Sequence, residues 1–176
     1  MVRSWVIFFF VMLCTGCYSG SAENLDSAPA TVSAKNKITG KAAKIIDGDT
    51  FDLLLADRTI RRIRLFGIDC PERAQAYYQV AKDELGTLLR NASLTIDIRD
   101  IDRYGRTVGI VQANQKNVNE AMLSAGFAWH YRRYDNNPEW SLLEKAARRQ
   151  SLGLWADSHP VAPWVFKSEK RLPVNK

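Results

Sequence analysis

The order of periodic segments along this chain predicts an α+β fold, a five-stranded β-barrel with three helices. Two observations carry the prediction: three strand-like stretches joined by short turns come first, and a helical stretch then separates them from two more strands and two more helices. Residues 42–46 are short and apolar and end at Asp47-Gly48-Asp49. Residues 51–56 are rich in apolar side chains, and Asp57-Arg58 has the character of a hairpin turn. Residues 59–66 alternate, with Ile60, Arg62, Arg64 and Phe66 on one side and Arg61, Ile63 and Leu65 on the other. Gly67 and Pro71 break that pattern. Across residues 75–90, Tyr78, Ala81, Lys82, Leu85, Leu88 and Leu89 fall at the three-four spacing of one helix face. Residues 93–100 alternate again, with Leu94, Ile96 and Ile98 together, and residues 107–112 supply the fifth strand. Residues 117–125 read as a short helix stopped by Gly126. Asn137-Pro138 opens a last helix to about Ser151, with Leu142, Leu143, Ala146 and Ala147 inward and Gly153 as its stop. Five short strands with a helix between the third and fourth suit a small Greek-key barrel of the oligonucleotide-binding type, the OB-fold.

The chain has 176 residues and a mass of 19.9 kDa, room for one domain of ordinary size. Hydrophobic residues at 46% and charged residues at 25% exclude a disordered chain, a collagen and a multi-span membrane protein. Three cysteines exclude a disulfide scaffold, and two histidines argue against a histidine-rich zinc site. A net charge of +6 favours polyanionic partners.

Residues 1–22 read as a signal peptide. Arg3 is the only charge before Glu23, and residues 5–14 form an unbroken apolar run. Ten helical residues cover about 15 Å, half of a bilayer core, so a membrane span is not expected. Leu13-Cys14-Thr15-Gly16-Cys17 resembles a bacterial lipobox, which makes Cys17 a lipidation site and the protein an envelope lipoprotein. Cleavage after Ala22, within a small-x-small pattern, is the alternative and gives a periplasmic or secreted protein. Either exit leaves Cys70 as the only free thiol. Residues 23–38 read as a flexible linker, 39–158 as the folded domain and 159–176 as a tail. Residues 167–176 of that tail are expected to be frayed.

Three segments concentrate the chemistry. Asp47-Gly48-Asp49-Thr50 offers two carboxylates at a strand end, a donor type that suits a hard cation. It is not an EF-hand loop, because Phe51 and Arg58 stand where that loop needs an oxygen ligand and a glutamate. Arg64-Leu65-Phe66-Gly67-Ile68-Asp69-Cys70-Pro71-Glu72 sets an arginine, an aspartate and a glutamate into an otherwise apolar segment, where charges are costly unless paired or liganded. Asp102-Arg103-Tyr104-Gly105-Arg106 bends at a glycine and carries an arginine suited to bidentate phosphate contact. A surface turn, a salt bridge and a solvated hairpin tip are the plain alternatives for each segment alone.

Together the three segments resemble the staphylococcal-nuclease-like (thermonuclease) family. The later stretches Val118-Asn119-Glu120-Ala121-Met122-Leu123, Gly126-Phe127-Ala128, Ala147-Arg148 and Gly153-Leu154-Trp155 match in the same order. The resemblance implies the family's OB-fold barrel, and it implies roles position by position. Asp49 and Asp69 correspond to calcium carboxylates, with the backbone carbonyl of Cys70 as a third ligand. Glu72 corresponds to the general base, and Arg64 and Arg106 to the arginines that hold the phosphate. Tyr104 corresponds to a substrate-positioning tyrosine. Tyr131 and Tyr134 compete for a second such role. Asp47 and Thr50 stand behind the ligands as supports. The implied activity is an exported, calcium-dependent endonuclease acting on DNA and RNA and leaving 3′-phosphates; no protein partner is implied.

Other chemistries find no motif: there is no His-Glu-x-x-His, no paired-cysteine motif and no glycine-rich phosphate loop. His130 is expected to be structural and His159 exposed. Arg132-Arg133 and Arg148-Arg149 add basic surface, and Trp129, Trp140, Trp155 and Trp164 read as packing residues. The competing function is a non-catalytic nucleic-acid-binding barrel. Against it stands the joint presence of Asp49, Arg64, Asp69, Glu72 and Arg106.

Overall fold

The computed structural model describes residues 36–170. The signal segment, Cys17, most of the linker and residues 171–176 lie outside the described residues.

Three strands come first: β1 (Lys37–Ile45), β2 (Thr50–Leu54) and β3 (Ile60–Leu65). A two-residue strand β4 (Ile68–Asp69) leads towards α1 (Tyr78–Leu89). Then follow β5 (Leu94–Ile101), β6 (Thr107–Ala113), the short β7 (Lys116–Asn117), α2 (Val118–Ser124) and the short β8 (Trp129–His130). The chain closes with α3 (Pro138–Arg149), a 3-10 turn (Gly153–Ala156) and α4 (Pro163–Glu169).

The sheet order is β3-β2-β1-β5-β6, and β3 also pairs with β6, in parallel, so five strands close into the predicted barrel. Closure needs bent strands. Register shifts at Ala42/Lys44 in β1 and Ile98/Asp100 in β5 provide them. Inward positions alternate with outward ones, as in β6, where Thr107, Gly109, Val111 and Ala113 are buried. Phe51, Leu53, Ile63, Leu65, Leu94, Ile96 and Val111 fill the barrel, and Ala81, Leu85 and Leu89 of α1 cover it. Each such large side chain contributes about 1.5–3 kcal/mol by leaving water.

Several elements differ from the expectation, each for a local reason. α1 begins at Tyr78 rather than at residue 75, because a turn closes from the Gln75 N–H to the Glu72 carbonyl (2.8 Å), and Ala74 and Tyr77 take left-handed φ values of 76° and 64°. Leu142 is 60% exposed, whereas Trp140, Glu144 and Ala147 form the buried stripe of α3. Glu144 tolerates burial because its carboxylate accepts from the Arg148 guanidinium at 3.0 Å and from the His130 backbone N–H at 3.4 Å. α4 is a fourth helix, so residues 167–169 are ordered rather than frayed. His130 is buried, its ring bonded to Ser141 Oγ and Asp135, while His159 is exposed.

Gly153 shows how tightly the last helices are joined. Its φ is +52°, and a β-carbon there would lie 2.4 Å from the Gly126 carbonyl oxygen. That same carbonyl accepts from Leu154 N at 2.9 Å, so the backbones lie in direct contact. Gly153→Ala should therefore lower stability by about 1–3 kcal/mol through clash and strain. An unchanged midpoint in urea denaturation would contradict this packing.

Candidate active site

The site is built at the entry to β2 and the exit from β3. Antiparallel pairing sets Thr50 opposite Arg64, and the Leu65 N–H donates to the Asp49 carbonyl at 2.9 Å. The 47–50 turn therefore lies beside the end of β3. Gly48 lets β4's continuation pass close by, since a β-carbon at Gly48 would lie 2.8 Å from Cys70 Cβ.

Arg64 gathers the cluster. Its Nε lies 3.0 Å from Asp49 Oδ1, and its Nη2 lies 2.9 Å from Asp69 Oδ1. Its Nη1 donates to the carbonyls of Leu65 (2.7 Å) and Ile68 (2.8 Å). The guanidinium thus fixes both aspartates and the backbone between them. Asp49 is fixed further: Oδ1 accepts from Thr50 Oγ1 (3.0 Å) and Oδ2 from the Cys70 N–H (2.9 Å). Asp47 Oδ1 accepts from the Asp49 N–H at 3.1 Å. The Cys70 thiol is buried and donates to the Gly48 carbonyl at 3.2 Å. Burial, and then the Asp49 charge, push that thiol well above its ordinary value, which keeps it a neutral packing group.

The electrostatics are strained towards a cation. Burial, and then the Asp49 charge, raise the Asp47 carboxyl to about 7. Burial and Asp49 raise Asp69 to about 6, against the opposing pull of Arg64 and Lys167. Glu72, at the edge of this cluster, has its backbone N–H held by Gln75 Oε1 at 2.7 Å. Asp47, Asp49, Cys70, Pro71, Glu72 and Tyr78 line a cleft of ≈ 150 Å³ together with Ile46 and Arg73.

Among the described residues no three acidic, histidine or cysteine side chains converge as a ready-made metal cage. The chemistry of two aspartates held by one guanidinium nevertheless suits a hard cation. A cation already stands there: Lys167 Nζ lies 2.8 Å from Glu72 Oε1 and 3.4 Å from Asp69 Oδ1. Burial pulls the Lys167 ammonium down, but Asp69 and the hydrogen bond to Glu72 outweigh it and hold the group above its ordinary value.

Arg106 and Tyr104 form a separate pair on the β5–β6 hairpin. Arg106 Nε lies 2.6 Å from Asp102 Oδ2, and its guanidinium stands 5.6 Å from the Tyr104 ring centre. Asp102 also accepts from the backbone N–H groups of Tyr104 and Arg106, both at 2.9 Å. The Asp102 clamp leaves both Nη atoms of Arg106 free of hydrogen bonds among the described residues. Tyr104 is 71% exposed. Tyr131 is half-buried, its N–H bonded to the Gly67 carbonyl, and its ring lies parallel to Trp164 at 4.9 Å; Tyr134 is exposed against its edge.

The structure therefore brings Asp47, Asp49, Thr50, Arg64, Asp69, Cys70 and Glu72 into one cluster. Arg106 and Tyr104 stand apart from these contacts. Lys167 and Gln75, which sequence reasoning gave no role in the site, touch that cluster, while Asp102 holds Arg106 and Trp164 stacks on Tyr131. Asp102 was visible as the first residue of its motif. Lys167 carries no local signal, lying 98 residues from Asp69. Arg148 belongs to the packing, its guanidinium 3.8 Å from the Trp155 ring centre and 4.5 Å from that of Trp129.

Residues 62–157 match the family model described as staphylococcal nuclease homologue. The chain is 40% identical over 144 residues to Protein ParB of Escherichia coli, covering 76% of this chain and 81% of that protein. It is 37% identical over 147 residues to a micrococcal nuclease of Shigella flexneri, covering 77% and 84%. It is 38% identical over 134 residues to an uncharacterized endonuclease of Escherichia coli O157:H7, covering 76% and 87%. With the barrel and the matched segments in the same chain, this protein belongs to the staphylococcal nuclease family.

Proposed function

We propose that this nuclease hydrolyses phosphodiester bonds of DNA and RNA with calcium as its metal, leaving 3′-phosphate and 5′-hydroxyl ends. The observation that carries the reading is the Arg64 guanidinium holding Asp49 and Asp69 together, while Glu72 shares the Lys167 ammonium with Asp69. Asp49, Asp69 and the Cys70 carbonyl would hold the ion, which when bound supplies Lewis-acid polarisation of the phosphoryl group.

The remaining steps belong to the chain. Glu72 takes a proton from the attacking water, whose oxygen forms the new bond to phosphorus. The P–O5′ bond breaks, and the leaving oxygen departs as the 5′-hydroxyl once protonated. Negative charge grows on the equatorial oxygens in the transition state. Arg106, oriented through Nε by Asp102, presents its two Nη groups to that charge, which stabilises the transition state more than the ground state. Arg64 spends most of its donors on the two aspartates and two carbonyls, so its main part is to hold the cluster in shape. Tyr104 and Tyr131 offer ring faces to the substrate. Attack by an outside water needs no 2′-hydroxyl, in keeping with action on both nucleic acids.

The test uses chain purified in chelator and incubated with single-stranded DNA, with and without millimolar calcium. Cleavage should require calcium and leave 3′-phosphates. Glu72→Gln should fold normally and lose about 10²–10⁴ in turnover. Binding without cleavage under any divalent ion would return the chain to a nucleic-acid-binding barrel, and full turnover by Glu72→Gln would remove Glu72 from the mechanism.

The proposal includes export, with Cys17 as a lipid anchor. It rests on the charge-poor apolar run at residues 5–14 and the cysteine that follows it. Cys17→Ser should move the protein from the membrane to the soluble fraction. Unchanged partitioning would favour cleavage after Ala22.

A further inference from the structure

Three contacts of residues 161–169 fall on the candidate site, and a further one sets the Trp164 ring edge-on against Trp129 at 5.7 Å. Lys167 Nζ bridges Glu72 Oε1 and Asp69 Oδ1 at 2.8 and 3.4 Å. The Trp164 ring stacks on Tyr131, 8° from parallel with centres 4.9 Å apart. The Val161 carbonyl accepts from Gln75 Nε2 at 3.0 Å, and the same Gln75 amide holds the Glu72 N–H through Oε1. One short segment thus occupies a cation position, an aromatic face and the support of the general base.

We propose that residues 161–169 form an autoinhibitory strap, with Lys167 standing in for the metal and Trp164 for a substrate base, so that metal and nucleic acid bind only as the strap leaves. The proposal rests on the cation site of the preceding section. The Lys167 ammonium on Asp69 and a divalent ion held by Asp49 and Asp69 cannot be bound together, because like charges a few ångströms apart repel strongly where water is partly excluded. A base cannot stack on the Tyr131 face that Trp164 covers.

The strap is built to come away. α4 has seven residues, and across residues 161–169 only Ala162 and Pro163 are buried. Val165 and Ser168 are exposed, and Lys167 is half-exposed. Between the strap and the body lies a cleft of ≈ 200 Å³, lined by Val161 and Phe166 on one side and by Pro71 and Tyr77 on the other. A short helix with little buried surface over a gap opens at small cost. Closing and ligand binding are linked reciprocally: whatever factor the strap removes from calcium affinity, calcium removes from strap closure.

The experiment compares the full chain with Lys167→Ala, Lys167→Met, Lys170→Ala and Asp49→Asn. Calcium binding is titrated by calorimetry without substrate, and amide exchange of residues 163–169 is followed with and without calcium. Both Lys167 variants should bind calcium on the order of tenfold more tightly, as an opened competitor requires. Lys170→Ala, which removes an equal charge from the ring face of Phe166, should leave affinity unchanged. Calcium should speed exchange in α4 of the unaltered chain. Loss of calcium binding in Asp49→Asn with unchanged or weaker affinity in the Lys167 variants overturns the strap and leaves the site standing. Equal tightening by Lys170→Ala overturns it as well, since bulk charge then explains the effect. Wild-type calcium affinity in Asp49→Asn overturns the cation site and the strap with it.

Discussion

Asp47, Asp49 and Asp69 are brought together, two of them buried, at one end of a barrel, and a single guanidinium answers them from within. Carboxylates so placed repel one another and lose hydration, and the cost is met only by donors of fixed geometry or by a cation. Arg64 provides the fixed part, with Nε on Asp49, Nη2 on Asp69 and Nη1 on two carbonyls. Lysine, a point charge, could not reach these four oxygens at once. Burial and the Asp49 charge raise the carboxyls of Asp47 and Asp69, in Asp69 against the pull of Arg64 and Lys167. The deficit persists beside the Lys167 ammonium and makes the cluster receptive to a further positive charge.

The fold is arranged to make that crowding possible. Pairing of β2 with β3 fixes Thr50 opposite Arg64, and Phe51, Ile63 and Leu65 anchor both strands in the core. β4 pairs with β8, setting Asp69 opposite Trp129, so the aromatic group around Trp155 is coupled to the acidic one. Glu72 stands on a turn rather than on a strand or helix, held by Gln75. A side chain so placed can shift by small amounts while the aspartates beneath it stay fixed by Arg64. Arg106 is held by its own carboxylate, Asp102, on a separate hairpin, so it is supported independently of the acidic cluster.

The barrel was legible in the sequence because its strands have an inside and an outside, and Ile63 and Leu65 alternate with Arg62 and Arg64 accordingly. β4 and β8 were not, since two residues carry no period. Leu142 misled because helix spacing alone does not say which stripe faces in, and buried Glu144, neutralised by Arg148, took the place an apolar residue was expected to hold. α4 is too short, with too little buried surface, to announce itself. The site segments were legible through local spacing in Asp47-Gly48-Asp49-Thr50 and in the run from Arg64 to Glu72. What Arg64 does was less so, because its partners Leu65, Ile68 and Asp69 are fixed by the chain's turn and not by residue type. Lys167 reaches the site from 98 residues beyond Asp69, a contact only the folded chain creates.

The central claim, that this cluster stays short of positive charge even with Arg64 and Lys167 in place, is tested most directly by unfolding free energy against pH in chelator and in saturating calcium. In the folded chain Asp47 and Asp69 keep their protons to about 7 and about 6, above their ordinary value of 3.8. The folded state therefore binds more protons than the unfolded one between about pH 4 and pH 7, and stability falls as pH rises through that window. Calcium should cancel the fall, and Asp47→Asn should reduce it in chelator. A chelated chain whose stability is level or rising from about pH 4 to pH 7, with no effect of calcium, would contradict the account.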